Sequence, residues 1–289
     1  MDVIRAAAKM RAVTDARRAA AETTSRVAEV GLVPTMGALH AGHASLLARA
    51  RENHRFVVMS LFVNPAQFGP GEDLESYPRD EERDLAIAER HGVDAVFAPT
   101  VAEMYPPGVA LLEPSAGPLG ETLEGAARPG HFAGVLKVVH RLFEIAGPAT
   151  TYFGEKDAQQ LLLVRRMVAE LGLPVQVPGC PIVRAPDGLA LSSRTAHLTP
   201  EEREAAGCLF LALSEAAELA RDGERDGAAL VAAMAREIGG TPLATLDYAV
   251  VVDDRTFEPV RTVDEPARAL VAARFGSTRL IDNLPLAAG

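Results

Sequence analysis

Two histidines three residues apart, His40 and His43, close the stretch Pro34-Thr35-Met36-Gly37-Ala38-Leu39-His40-Ala41-Gly42-His43. The stretch follows the apolar run Val30–Val33 and precedes an apolar-periodic segment through Leu46, Leu47 and Ala50. With a helix starting near Gly42, the unpaired N–H groups and the dipole at its mouth favour an anion. Both imidazoles are then placed to donate hydrogen bonds to that same anion. Such a grip suits a nucleotide phosphate. A capped turn is the plainer reading of a histidine pair beside a glycine, and the strand–turn–helix context weighs against it.

Four further clusters carry polar chemistry. Phe62-Val63-Asn64-Pro65-Ala66-Gln67-Phe68 ends an apolar run in two amides, which donate and accept and so suit hydroxyls and carboxylates. Asn64 is equally readable as a turn residue bonding backbone. Arg128-Pro129-Gly130-His131-Phe132 puts two cationic or potentially cationic groups at a helix start, again favouring anions or surface capping contacts. In Phe153-Gly154-Glu155-Lys156-Asp157, followed by Gln159 and Gln160, a glycine after a strand lets Lys156 approach a phosphate. Asp157 then sits at the helix start, and Gln160 lies one turn in. Leu191-Ser192-Ser193-Arg194 offers two hydroxyls and a guanidinium that can wrap a pyrophosphate, or that serve as loop filler. Between Asn64 and Arg128, the polar, glycine-hinged segment Gly69–Tyr77 is a candidate lid, the alternative being an idle surface loop.

These groups must be held by a frame, and the chain supplies one. From Gly31 to about Val183 short apolar runs alternate with helical patterns. Predicted strands are Gly31–Pro34, Phe56–Val63, Val93–Ala98, Thr150–Phe153 and Val175–Val183. Predicted helices are His43–Glu52, Asp80–His91, Phe132–Ala146 and Ala158–Leu171. Near-continuous apolar strands alternating with helices imply a doubly wound, Rossmann-like parallel α/β sheet. Ligands of such sheets sit beyond the carboxyl ends of the strands, where the histidine, amide and lysine clusters all fall. The turn signal Pro186-Asp187-Gly188 divides residues 1–185, a Rossmann-like nucleotide-binding domain, from residues 186–289. Thr199-Pro200-Glu201-Glu202 starts a helix with cap, proline and capping-box glutamate. The pattern predicts one alanine-rich helix to about Asp222 and another over Asp226–Ile238. Strands over Thr245–Val252, Arg268–Arg274 and Thr278–Asn283 follow, making a smaller C-terminal α+β domain.

Composition bounds the partners. A chain of 289 residues with 48% hydrophobic and 24% charged residues reads as an ordinary soluble protein. The longest apolar runs are strand-length, and the start lacks a cleavable apolar segment, so the expectation is a cytoplasmic protein with no membrane partner. A formal charge of −10 argues against nonspecific nucleic-acid binding and leaves open a small anion in a locally positive pocket. Cys180 and Cys208 have neither metal nor redox-motif spacing. Lys9, Lys137 and Lys156 are the only lysines, so a lysine at a phosphate-sized site goes against the chain's preference for arginine.

The histidine stretch resembles the signature of the nucleotidylyltransferase superfamily. Taken in order, PTMGALHAGH, LFVNPAQFG, YPRD, RPGHF, FGEKDAQQ, DGLALSSR and the closing ARALVAARFGSTRLIDN resemble the pantothenate synthetase (pantoate–β-alanine ligase) family over essentially the whole chain. The resemblance implies that pantoate attacks the α-phosphorus of ATP to form pantoyl adenylate, and that β-alanine then displaces AMP. It implies Mg2+ with ATP and a homodimer. By motif match, His40, His43, Lys156 and Arg194 are catalytic. Met36, Gly154, Asp157, Ser192 and Ser193 join them in binding ATP, with the second domain closing over that site. Met36, Gln67 and Gln160 hold pantoate, while Asn64, Tyr77, Arg128 and His131 match other substrate-site positions. Asp84 aligns with an acidic position implicated in magnesium binding, although Arg83 departs from the acidic pairing seen in some members. Thr195 and His197 replace the usual Asn and Tyr after the Ser-Ser-Arg triplet, and Ala41 replaces a frequent Glu. Two rival readings are a different adenylyl-transferring enzyme, which would need a platform for a second nucleotide, and a nucleotide-sensing module, which would not need the amide cluster.

Overall fold

The computed structural model describes residues 1–20, 30–72 and 74–286. Two compact units emerge: residues 1–155 with 159–181, and residues 156–158 with 182–289.

The first unit opens with β1 (Asp2–Ile4) and α1 (Ala7–Ala20), which precede the alternation predicted from sequence. There follow β2 (Val30–Thr35), α2 (Ala41–Asn53), β3 (Phe56–Leu61), α3 (Glu81–Arg90) and β4 (Ala95–Phe97). After the short helices α4 (Val101–Met104) and α5 (Glu124–Ala127) come α6 (His131–Ala146), β5 (Ala149–Thr151), β6 (Phe153–Gly154) and α7 (Ala158–Glu170). The last strands, β7 (Val175–Gln176) and β8 (Gly179–Cys180), replace the single strand expected over Val175–Val183. Pro178, without an N–H for the ladder, separates them, and β8 pairs with β6 in a sheet of its own.

Six strands form the main sheet in the order β1-β4-β3-β2-β5-β7, and every pair is parallel. Winding runs outward from β2 through β3 to β4, then restarts on β2's other side with β5. The boundary between β2 and β5 is therefore the topological switch point, where α/β sheets bind ligands. β2 pairs along its length with β3 but meets β5 only at Gly31 and Leu32. Pro34 lies beyond that pairing, so its missing N–H breaks no bond on the β5 side. Val33, Val57, Met59 and Val96 from the strands pack with Leu46, Leu47 and Ala50 of α2 in a buried core.

In the second unit α8 (Pro200–Ala205), α9 (Cys208–Arg221) and α10 (Gly227–Gly240) precede an antiparallel sheet. Its strands are β9 (Ala244–Asp253), β10 (Ala267–Phe275) and β11 (Thr278–Leu286), in the order β11-β10-β9. The alanine-rich helix expected to run unbroken to Asp222 is two helices, interrupted at Ala206–Gly207. Ala212, Leu213 and Ala216 of α9 and Leu230 and Met234 of α10 bury against Ala269, Val271 and Ala273 of β10. The chain is thus a doubly wound α/β protein with a smaller C-terminal α+β unit.

Candidate active site

His40 is the N-cap of α2, with extended backbone angles. Its Nδ1 accepts from the Gly42 N–H at 3.1 Å, while the His40 N–H donates to Nδ1 of His43 at 3.3 Å. A Cβ on residue 42 would lie 2.8 Å from the His40 ring, so glycine there is what lets the imidazole fold over the helix end. The plain reading of the motif, a capped helix end, is what this geometry shows. Capping consumes both Nδ1 atoms as acceptors, which leaves the proton of each neutral ring on Nε2. The two rings lie 4.2 Å apart at the switch-point end of the sheet. Each is a tautomerically fixed Nε2–H donor beside a helix dipole.

The loop leading to His40 turns through Ala38, whose φ of 52° is unfavourable for a residue with a Cβ. Asp84 on α3 holds it. Its carboxylate oxygens accept from Ala38 N at 2.9 Å and Leu39 N at 2.8 Å, and only 1% of the residue is exposed. Arg83 Nη2 donates to the Leu39 carbonyl at 3.2 Å. Asp84, the residue expected near magnesium, thus buttresses the loop that leads to His40. Its carboxyl oxygens accept from two backbone donors inside the protein. Asp84→Ala leaves two buried N–H groups without acceptors, at about 1–3 kcal/mol each. It is expected to lower stability to urea by that order, and added magnesium should not restore activity, as it would for a weakened metal ligand.

The amide cluster is layered. Asn64 caps the 3-10 turn Pro65–Gln67, its Oδ1 accepting from Ala66 N at 3.2 Å and from the Tyr105 hydroxyl at 2.7 Å. Its Nδ2 donates to Gln67 Oε1 at 3.0 Å and to the Gly134 carbonyl at 3.1 Å. All four hydrogen-bonding positions of this amide are filled, so Asn64 orients Gln67 and leaves no group for a ligand. Burial pushes the Tyr105 phenol far up, keeping it a donor to Asn64. With Oε1 occupied, Gln67 turns its NH2 outward onto the Met36 sulfur at 3.1 Å. A thioether is a weak acceptor, readily replaced there by a substrate oxygen. Gly134 of α6 makes the close approach possible, since a Cβ on it would stand 2.0 Å from the Ala66 carbonyl oxygen.

Arg128 and His131, expected to contact substrate, also anchor this cluster. His131 Nδ1 and Arg128 Nη2 both reach the Gln67 carbonyl, at 2.9 and 3.3 Å. Arg128 also grips Glu72 through Nε at 2.8 Å and Nη2 at 2.7 Å. Glu72 belongs to the Gly69–Tyr77 segment, whose far end is pinned by the buried Tyr77 ring edge-on to Phe68. The Arg128 guanidinium holds the Glu72 carboxyl below the usual glutamate range against the opposing effect of burial. A depressed carboxyl contributes stability that is complete above its unfolded-state value and is lost as pH falls through the folded-state one. The latch is therefore expected intact at neutral pH and open in acid below the usual glutamate range. Cleavage within residues 69–77 by an acid-active protease should accelerate there, and Glu72→Gln should be cleaved fast at every pH.

Gln159 points away from this chemistry, donating to the Leu119 and Thr122 carbonyls at 2.8 and 2.9 Å. Gln160, its neighbour on α7, is half-buried. In the second unit, the Lys156 ammonium lies 3.3 Å from Asp157, and its side chain is 20% exposed. Ser192 caps the 3-10 turn Ser193–His197, its Oγ accepting from Arg194 N at 3.2 Å. Thr195, one of the departures in this motif, donates its hydroxyl to the Ser192 carbonyl at 2.6 Å. It therefore stabilises the turn that carries Ser193 and Arg194.

A paired-imidazole helix mouth at the switch point of a doubly wound sheet, in a unit that also holds the preoriented Gln67 amide, fits an enzyme of the nucleotide-using α/β class. A sequence profile of the pantoate–β-alanine ligase family matches residues 2–285, and the chain belongs to that family. It is 55% identical to the pantothenate synthetase of Roseiflexus sp. over 258 residues, 89% of this chain and 92% of that one. The crystal structure of pantothenate synthetase from Thermus thermophilus superposes with a TM-score of 0.89 at 48% identity, covering 98% of this chain and 99% of that one. Pantoate–β-alanine ligase from Francisella tularensis, complexed with β,γ-ATP and β-alanine, superposes at 0.75 with 31% identity, covering 98% and 97%. No helix among the described residues is long and apolar enough to cross a membrane.

Proposed function

We propose that this chain ligates pantoate to β-alanine in two steps, through a pantoyl adenylate, with release of pyrophosphate and then AMP. The observation that carries the reading is that helix capping occupies Nδ1 of both His40 and His43, which directs their Nε2–H groups as donors, in the unit that also holds the Gln67 amide oriented by Asn64. Pantoate's carboxylate is ionised at neutral pH, as such acids have pKa values near 4. The first step therefore needs no base. Its obstacle is holding an anionic nucleophile in line with an anionic triphosphate, which positioning can ease by about 7–11 kcal/mol. Gln67 and Gln160, with Met36, hold pantoate. His40, His43, Lys156 and Arg194 neutralise charge on the triphosphate, and Gly154, Asp157, Ser192 and Ser193 complete its binding. Magnesium arrives as part of the MgATP substrate, bound through phosphate oxygens as this ion commonly is. The Gly69–Tyr77 segment screens the adenylate from water. The same reading includes a cytoplasmic homodimer with no nucleic-acid or membrane partner.

Pantoate-dependent exchange of pyrophosphate into ATP, with β-alanine absent, tests this directly. Exchange with pantoate alone among hydroxy acids is the expected result. Exchange with other acceptors would favour a different adenylyl-transferring enzyme, and none at all would leave only nucleotide binding.

A further inference from the structure

β11 carries an adjacent pair, Asp282 and Asn283, that are only 2% and 1% exposed. Asn283 Nδ2 donates to the Lys156 main-chain carbonyl at 3.0 Å, and its Oδ1 accepts from Arg268 Nη1 at 2.6 Å. Arg268 is itself fixed by Asp254, through Nε at 2.5 Å. Asp282 receives both ends of the Arg184 guanidinium, at 2.5 and 3.0 Å, and accepts from its neighbour's N–H at 2.7 Å. Arg184 also donates to the Gly188 and Asn283 carbonyls and stacks over Phe210. It thereby shapes the hairpin over 184–190, closed by the Arg184–Ala190 bridge, that delivers the chain to Ser192, Ser193 and Arg194.

Such a network is expensive. Two arginines and a carboxylate give up water, and apolar residues of equal volume commonly serve stability as well or better. What apolar residues could not do is tie together two segments distant in sequence that carry the unit's cations. One arm of this network ends on the backbone of Lys156 and the other on the hairpin before Arg194. Burial pushes the Asp282 carboxyl up, and the Arg184 guanidinium, with a smaller share from the Lys156 charge, opposes that rise.

We infer that Asn283, supported by Asp282, Arg184 and Arg268, is a positioning residue for adenylation, setting Lys156 in register with the Ser192–Arg194 turn. The inference rests on the phosphate role proposed for Lys156. Displacement of a charged group by an ångström can lower a rate about 100-fold. Asn283→Ala is expected to reduce the turnover of pantoate-dependent exchange by that order, with the KM for pantoate unchanged. In a Lys156→Ala background the same substitution should cost less than about twofold, because residues acting as a unit are non-additive. Asn283→Asp keeps the acceptor for Arg268 but lacks the donor to the Lys156 carbonyl, and should reproduce both results with a cooperative melt. Exchange surviving in Asn283→Ala, or losses that multiply in the double variant, would overturn the inference. So would a loss of cooperative melting in both Asn283 variants, since the pair would then hold the fold and not the lysine. Absent exchange in the unaltered protein would defeat the ligase reading instead.

Discussion

Lys156→Ala is expected to lower the rate of pantoyl adenylate formation at least about 100-fold, the loss that follows removal of one preorganised charge-stabilising donor. On the two-step reaction proposed above, the reason lies in what the first step lacks. An ionised carboxylate needs no deprotonation, so the barrier is dominated by charge brought against charge. Lys156 is suited to lower it: its ammonium is mostly shielded, and its ion-pair partner, Asp157, sits at a loose 3.3 Å. Lys137 makes a useful contrast, being paired more tightly, at 2.5 Å, with Glu113. If Lys156 acts mainly on charge that develops in the transition state, turnover and turnover over KM should fall together. Lys156→Arg should not restore the rate, since a broad planar fork does not replace a compact ammonium. Rapid-quench measurement of one turnover, with β-alanine absent, reads the step. Adenylate formed at a near-normal rate by Lys156→Ala would remove the lysine from the chemistry.

What the chain discloses before folding depends on how local the cause is. β2 and β3 are runs of buried apolar residues, and α2 between them turns Leu46, Leu47 and Ala50 to the core, so the parallel sheet was legible from pattern alone. β1 was not. Of its three residues only Ile4 is buried, and the strand exists because β4 offers a parallel edge far along the chain. The site divides in the same way. His40, His43 and Gln67 were legible because their neighbours in sequence place them: a helix mouth, a glycine two residues on, a strand end. Asn64, Arg128 and His131 were recognisable as polar groups of the cluster, but their duty is decided by Gly134, Glu72 and the Gln67 carbonyl. Those partners come from other elements. Asp84 shows the limit most clearly. Only the family resemblance singled it out, and nothing local in sequence announces the two backbone donors that it receives from the loop over Ala38 and Leu39. Glu72 and Asn283 gave no signal at all, because nothing adjacent to either reveals an arginine waiting for it.

The histidine pair permits a sharper experiment than alanine replacement, because capping and the catalytic role proposed for it use different nitrogens. His40→Ala would remove a cap worth about 1 kcal/mol together with the phosphate donor, and a lost rate would then have two explanations. Asparagine separates them. It is among the best N-cap residues, and its short side chain reaches the Gly42 N–H, which His40 now serves through Nδ1. It cannot place a donor where Nε2 stands, on the far side of the ring. His40→Asn is therefore expected to melt like the unaltered protein while its pantoate-dependent exchange falls about 100- to 1000-fold, the range seen for loss of a single transition-state donor. His40→Ala should fall as far in rate and also melt a few degrees lower, since ~1 kcal/mol shifts the midpoint of a domain of 150–250 residues by roughly 2–4 °C. The contrast depends on His43 keeping its tautomer, and in both variants its Nδ1 still has a main-chain N–H at residue 40 to accept from. Should His40→Asn retain most of its exchange activity, the helix end and its dipole would suffice for the phosphate, and the imidazole would be a cap and nothing more.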